Sequence, residues 1–310
     1  MTALSAAVAD YLDLRRGLGF GLAGMDRLLG DFVAFLDDAG LEVVTIDAAL
    51  SWATRPARAQ PSWHAKRLGY VRGFAAYLHA FDPRHQVPPR DLLPIGPKRA
   101  TPYIYSDDEI GALMSEARRL TPPLRAATFE AVIGLLAVTG MRAGEVMRLR
   151  RGDVDLADGV ISVWDSKFHH SRQLPLHPTT VAALADYARR RNRLWPHPEP
   201  DAFFLSGVGT RLCPPTLDGT FARIRRAAGL EPPPGSGRAA PRLHDFRHTV
   251  AVRTLVDWYR AGHDIGARLQ TLSTFLGHVD PAATYWYLSA IPELLALAAA
   301  RMQRVTRPKR

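Results

Sequence analysis

The amino-acid sequence predicts a mainly α protein in two parts: a helical N-terminal domain, and a mostly helical second domain that holds a small antiparallel β-sheet. Three observations predict it. Apolar residues recur at helical spacing through the first 81 positions, a proline-rich stretch then interrupts every periodicity, and beyond it the helical pattern gives way once to three short alternating segments.

Within residues 1–81 the spacing predicts helices over 5–18, 22–39 (stopped by Gly40), 45–54 and 62–81. From 82 to 102 stand Pro83, Pro88, Pro89, Pro94, Pro97 and Pro102, and because proline neither donates to a ladder nor sits inside a helix, this stretch reads as an extended linker. The second domain, 103–291, opens on Ser106-Asp-Asp-Glu109, a capping box in which hydroxyl and carboxylate satisfy the first free amides of a helix. An apolar helix over 124–138 breaks at Gly140 and restarts over 142–149. Residues 154–156, 160–164 and 172–176 alternate like strands, with Asp158-Gly159 in one turn and 167–171 in the next. Helices follow over 179–194, 215–228, 243–261, 267–276 and 282–288, and the C-terminal segment 292–310 reads as a last helix over 292–304 with a basic tail.

At 310 residues, 47% hydrophobic and 23% charged, the chain can bury two cores. No apolar run approaches the ~18 residues of a membrane span, and Asp10 breaks any leader profile, so the reading is a cytoplasmic protein of the bacterial nucleoid. The single cysteine, Cys213, excludes an internal disulfide and a multi-cysteine zinc site. The formal charge of +10 favours a polyanionic partner, and residues 101–310 hold +8 of it. Arginine supplies 36 of the 40 basic side chains, which suits bidentate grips on phosphate but equally fits an arginine-rich proteome.

Four stretches of the second domain carry chemistry. His244 and Arg247, in Leu243-His-Asp-Phe-Arg-His248, are three apart and project from one helical face, joining an imidazole to a cation. His244 and His248 have metal-ligand spacing, but no third ligand is indicated and no metal is expected. Arg142, in Thr139-Gly-Met-Arg-Ala-Gly-Glu145, begins a helix where free amides favour an anion; Glu145 is read as orienting it or capping the helix. Lys167 lies in a strand-to-strand turn, and lysine can donate a proton where a guanidinium cannot. Leu276-Gly-His278 is followed nine residues later by Tyr287, within Thr284-Tyr-Trp-Tyr287, where Tyr285 and Trp286 read as core. A phenol with a pKa near 10 needs cations or a base beside it to act as a nucleophile.

The order Arg142, Lys167, His244-x-x-Arg247, Leu-Gly-His278 and Tyr287 resembles the phage integrase, or tyrosine recombinase, family over most of 103–290, and the front domain resembles its SAM-like core-binding domain. Leu288 and the serine-poor 279–283 depart from the usual surroundings of the tyrosine. The resemblance implies that Arg142 and Arg247 hold the scissile phosphate, Lys167 protonates the leaving 5′ oxygen, His244 and His278 assist, and Tyr287 is the nucleophile, preferred over Tyr285. A 3′-phosphotyrosine link keeps the energy of the broken bond, so no cofactor is required. The implied partners are double-stranded DNA clamped between the two domains, a homo-oligomer on DNA forming a tetrameric synapse, and sister recombinases; the last helix is read as docking on a neighbouring protomer or covering its own core. Two other readings share the residues: relaxation in the manner of a type IB topoisomerase, and a non-catalytic accessory role in DNA binding.

Overall fold

A computed structural model of the chain describes residues 2–22, 24–94, 102–164, 171–196, 201–232, 239–277, 282–290 and 294–296. The chain divides into two compact units, Met1–Ala100 and Thr101–Arg310. It is mainly α with one small antiparallel sheet, as the sequence predicts, and among the described residues no helix is long and apolar enough to cross a membrane.

Among its described residues the first unit holds four helices, α1 (Ala3–Gly17), α2 (Met25–Asp38), α3 (Ile46–Thr54) and α4 (Pro61–His79). α2 starts three residues later than the spacing suggests because Gly24 is left-handed (φ 78°) and ends the preceding loop. Their apolar faces meet around Leu29, Phe32, Leu36, Trp52, Val71 and Phe74, all fully buried. Trp52 is pinned from three sides: Phe32 edge-on at 5.2 Å, the Arg67 guanidinium 3.7 Å over the ring, and an Nε1 hydrogen bond to Asp31 at 2.9 Å. The stretch that reads as linker begins as part of this unit. His85 is buried and its Nδ1 accepts the Val44 amide at 3.0 Å, Gln86 bonds the backbone of Val44 and Ile46, and Arg72 donates to the Pro88 and Pro89 carbonyls at 2.8 Å each.

In the second unit α5 (Asp107–Arg118) carries the capping box, with both of its hydrogen bonds made. α6 (Pro123–Thr139) is apolar over most of its circumference, and α5, α8 (Pro178–Leu194) and α10 (Leu243–Arg260) all pack on it. Gly140 ends it at φ 61°, and α7 (Ala143–Arg148) follows. The sheet orders β1 (Val154–Asp155), β2 (Val160–Val163) and β3 (Arg172–Pro175) antiparallel, with Ile161 opposite Leu174. Both side chains are fully buried. α9 (Pro214–Ala227), α11 (Ile265–Leu276) and α12 (Ala282–Ala290) complete the unit. α11 begins two residues earlier than expected because Asp264 caps it, accepting the Ala267 amide at 3.3 Å. Of the expected last helix only 294–296 are described; Leu294 is buried in a cluster with Val252, Leu255, Leu272, Leu276 and Tyr287. The rest of that helix and the basic tail lie outside the described residues.

A Cβ at Gly140 would meet Leu276 Cδ2 at 3.1 Å and Val250 Cβ at 3.2 Å, on top of the left-handed backbone. Gly140→Ala should destabilise the second unit by about 2–4 kcal/mol, the sum of an αL penalty and overpacking. Urea unfolding followed by circular dichroism measures this, and an unchanged midpoint would contradict the packing described.

Candidate active site

Glu145 sits one turn into α7 with its carboxylate 1% exposed, and two arginines from different elements close on it. Arg142, the residue before α7, donates Nη1 to Oε1 at 2.8 Å and its backbone amide to Oε2 at 3.0 Å. Arg172, the first residue of β3, donates Nη2 to Oε2 at 2.8 Å and Nη1 to Oε1 at 3.2 Å. Each guanidinium also reaches the carbonyl end of α11: Arg142 Nη2 to Gly277 O at 2.7 Å and Arg172 Nε to Phe275 O at 2.9 Å. Positive charge at the C-terminal end of a helix is favoured by its dipole and satisfies carbonyls with no intrahelical partner. A Cβ on Gly277 would lie 2.6 Å from Arg172 Nη1, and the residue is left-handed at φ 71°, so this corner admits glycine alone.

α10 contributes the third guanidinium. Arg247 is 1% exposed, with Nη1 donating to the Gly140 carbonyl at 3.1 Å and Nη2 buried without an acceptor among the described residues. Burial and the like charge of Arg142 lower its pKa to about 9, against the upward pull of Glu145 and Tyr287, so it remains charged at neutral pH. His244 lies on the same helix with its ring open to solvent on one side. The protein packed around the rest of the ring, with Arg247, lowers its pKa.

Tyr287 is 2% exposed, on α12, which is tied to α11 through the buried pair Thr284 Oγ1 and Ser273 Oγ at 2.8 Å. Its hydroxyl hydrogen-bonds His248 Nδ1 at 2.7 Å. Burial, then His244, lowers the His248 pKa to about 4, with Asp245 opposing, so the ring is neutral at physiological pH. Tyr285, expected in the core, is 53% exposed, because α12 turns that position outward, whereas Trp286 is half-buried.

Arg142, His244, Arg247 and Tyr287 are thereby placed on one corner of the second unit: Arg247 feels the charges of Arg142 and Tyr287, and His244 those of Arg247 and Arg142. Lys167 and His278 lie outside the described residues. Sequence reasoning missed two participants. In the sequence Arg172 carries no signal beyond being the first residue of a strand, and His248 reads only as half of a metal-spaced pair. Around Glu145 the corner gathers the positive charges of Arg142, Arg172 and Arg247 against one carboxylate, an electrostatic excess that suits an anion with several oxygens.

Residues 104–293 match the sequence profile of the Phage integrase family. Over 310 residues the chain is 44% identical to "Putative integrase/recombinase y4rB" of Sinorhizobium fredii, covering 98% of each, and it is 38% identical over 301 residues to "Putative integrase/recombinase y4rE" of the same species, covering 96% of this chain and 95% of the relative. Among solved structures, its fold is similar to that of the Tn1549 transposon integrase in complex with transposon right end DNA (TM-score 0.63, 17% identity, 99% of this chain and 100% of that one). It is similar also to the XerH site-specific recombinase bound to palindromic difH substrate in a post-cleavage complex (TM-score 0.64, 17% identity, 91% and 80%).

Burial raises the pKa of Glu145, but hydrogen bonds and charge from Arg172, then Arg142, outweigh it and hold the pKa below the ordinary 4.5. A depressed carboxylate contributes stability that is present above its unfolded-state pKa and lost as pH falls through the folded one. Glu145→Gln should cost about 3–5 kcal/mol at pH 7, since it leaves guanidinium groups buried without their counter-charge, and should flatten the loss of stability below about pH 4.5. Urea titrations between about pH 3 and 7 decide it; parallel curves for both proteins would mean that the carboxylate is not the anchor described here.

Proposed function

Because this chain belongs to the phage integrase family, we propose that it cleaves and rejoins duplex DNA with Tyr287 as nucleophile and Arg142 and Arg247 as the grip on the scissile phosphate. The observation that carries this reading is the surplus of buried guanidinium charge beside a buried phenol, with Arg247 Nη2 offering a donor that the described residues leave unused. A phosphodiester under attack gathers charge on its equatorial oxygens, and cations fixed in advance stabilise that state more than the ground state. Glu145 and the α11 carbonyls hold Arg142 and Arg172 in place, so little side-chain entropy remains to be lost when the phosphate arrives.

In line with the 5′ oxygen, Tyr287 forms a 3′-phosphotyrosine link as the 5′ oxygen departs, taking a proton from Lys167 in this reading; His244 and His278 assist at the phosphate. The bond energy stays in the link, and a 5′ hydroxyl from a second duplex reverses the step to complete exchange. Full-length similarity to proteins named integrase/recombinase favours exchange over supercoil relaxation and supports integration or transposition as the proposed context. The two solved neighbours described above are DNA complexes, and we carry DNA binding and assembly on DNA to this chain, with four protomers in the synapse because two duplexes present four strands to cut. The first unit is assigned to DNA binding as a core-binding domain.

Covalent trapping on nicked duplexes drawn from DNA flanking the gene tests the assignment. Wild type should leave a protein–DNA adduct on a denaturing gel, and Tyr287→Phe none. Arg142→Ala or Arg247→Ala should slow adduct formation by about 100- to 1,000-fold while weakening DNA binding by less than about tenfold. An adduct from Tyr287→Phe would remove the nucleophile assignment. Binding of the same DNA with no adduct from wild type would favour the accessory role.

A further inference from the structure

We propose that His248 is the base that accepts the phenolic proton of Tyr287 as the tyrosine attacks phosphorus, an inference that rests on Tyr287 being the nucleophile.

The geometry is that of a proton-transfer pair. His248 Nδ1 lies 2.7 Å from the Tyr287 hydroxyl, and the rings are inclined at 64° with centroids 5.5 Å apart. Trp286 packs on the imidazole at 5.9 Å and His244 stands perpendicular to it at 4.8 Å, leaving its side chain 14% exposed. The other ring nitrogen, Nε2, lies 4.0 Å from Oδ1 of the buried Asp245 carboxylate. A ring that carries its hydrogen on Nε2, toward Asp245, presents the Nδ1 lone pair to the phenol, which is the tautomer a base for Tyr287 needs.

The surrounding charges fit the same role. On α10 the ring faces His244, Asp245, Arg247 and the preceding Arg242, and on α12 it faces Tyr287. Burial and the positive groups keep it unprotonated before reaction, while Asp245 favours the imidazolium that forms. A phosphate on Arg142 and Arg247 offsets part of the positive field and strengthens the base once DNA is in place. His244, to which the family resemblance gives proton transfer, stands perpendicular to the His248 ring and is open to solvent.

The step balances. The Oη–P bond forms as the P–O5′ bond breaks, the Oη proton passes to His248 Nδ1, and the leaving 5′ oxygen takes one from its acid. On rejoining, His248 returns the proton to the departing phenolate, and the attacking 5′ hydroxyl gives up its own to the conjugate base of the acid that protonated the leaving oxygen.

His248→Asn keeps an acceptor near the place of Nδ1 but cannot take a proton. Single-turnover adduct formation on the nicked duplex should be about 100-fold slower than wild type at pH 7, with DNA affinity retained, and the deficit should narrow by about tenfold per pH unit up to about pH 9, as hydroxide takes over from the missing base while Arg247 keeps its charge. Wild-type rates from the asparagine variant across that range would overturn the proposal and reduce His248 to positioning. Where the variant fails to bind DNA, the wild-type pH profile decides: a rate that levels off well below the phenol pKa supports His248, and one that climbs about tenfold per pH unit to about pH 9 overturns it. Tyr287→Phe, run alongside, separates the two claims, because an adduct there removes the nucleophile, whereas a Tyr287-dependent adduct indifferent to His248→Asn removes only the base.

Discussion

The second unit is organised around one buried carboxylate. Glu145 takes hydrogen bonds from Arg142 and Arg172, and those same guanidinium groups continue to the carbonyls of Phe275 and Gly277, so a single side chain joins α7, β3 and the end of α11. A lone charge at 1% exposure would be costly in so apolar a setting; here its partners satisfy both oxygens. The arrangement works in both directions, since Glu145 also permits two arginines to sit close together, and the corner remains positive after it is counted.

α10 supplies the rest because Tyr105 holds it at two successive turns of one face. Phe246 stacks on Tyr105 at 4.3 Å and 18°, and Thr249 accepts the Tyr105 amide at 2.9 Å while donating to the Asp245 carbonyl, which fixes the rotation of the helix about its axis. That rotation sends Arg247 inward beneath Gly140 and leaves His248 facing α12. The turn at Gly140 thus serves two purposes: its left-handed backbone ends α6, and its freed carbonyl is the acceptor that orients Arg247.

Much of this was legible in the sequence because it depends on local rules. The capping box at Ser106, the stop at Gly140 and the antiparallel segments follow from spacing and residue chemistry, and Arg142, His244, Arg247 and Tyr287 could be named from order and neighbours. What escaped depends on pairs far apart in the chain. Nothing near Arg172 announces that it will cross to Glu145, 27 positions away, and nothing near His248 indicates a phenol 39 positions on. Prolines likewise report where a helix cannot form, but not whether the chain is anchored; the contacts of His85 and Gln86 with Val44 anchor residues that composition alone marks as a spacer.

In the role proposed for it, the guanidinium cluster recognises charge and the spacing of oxygens, and both repeat at every step of a nucleic-acid backbone. It therefore holds no information about where on a duplex it acts, and an inorganic phosphate or sulfate ion at sufficient concentration would compete for it on equal terms. Address and reaction are separable properties of such a chain: the address must be written in side chains that reach base edges, and those can be exchanged for others without altering the corner built on Glu145.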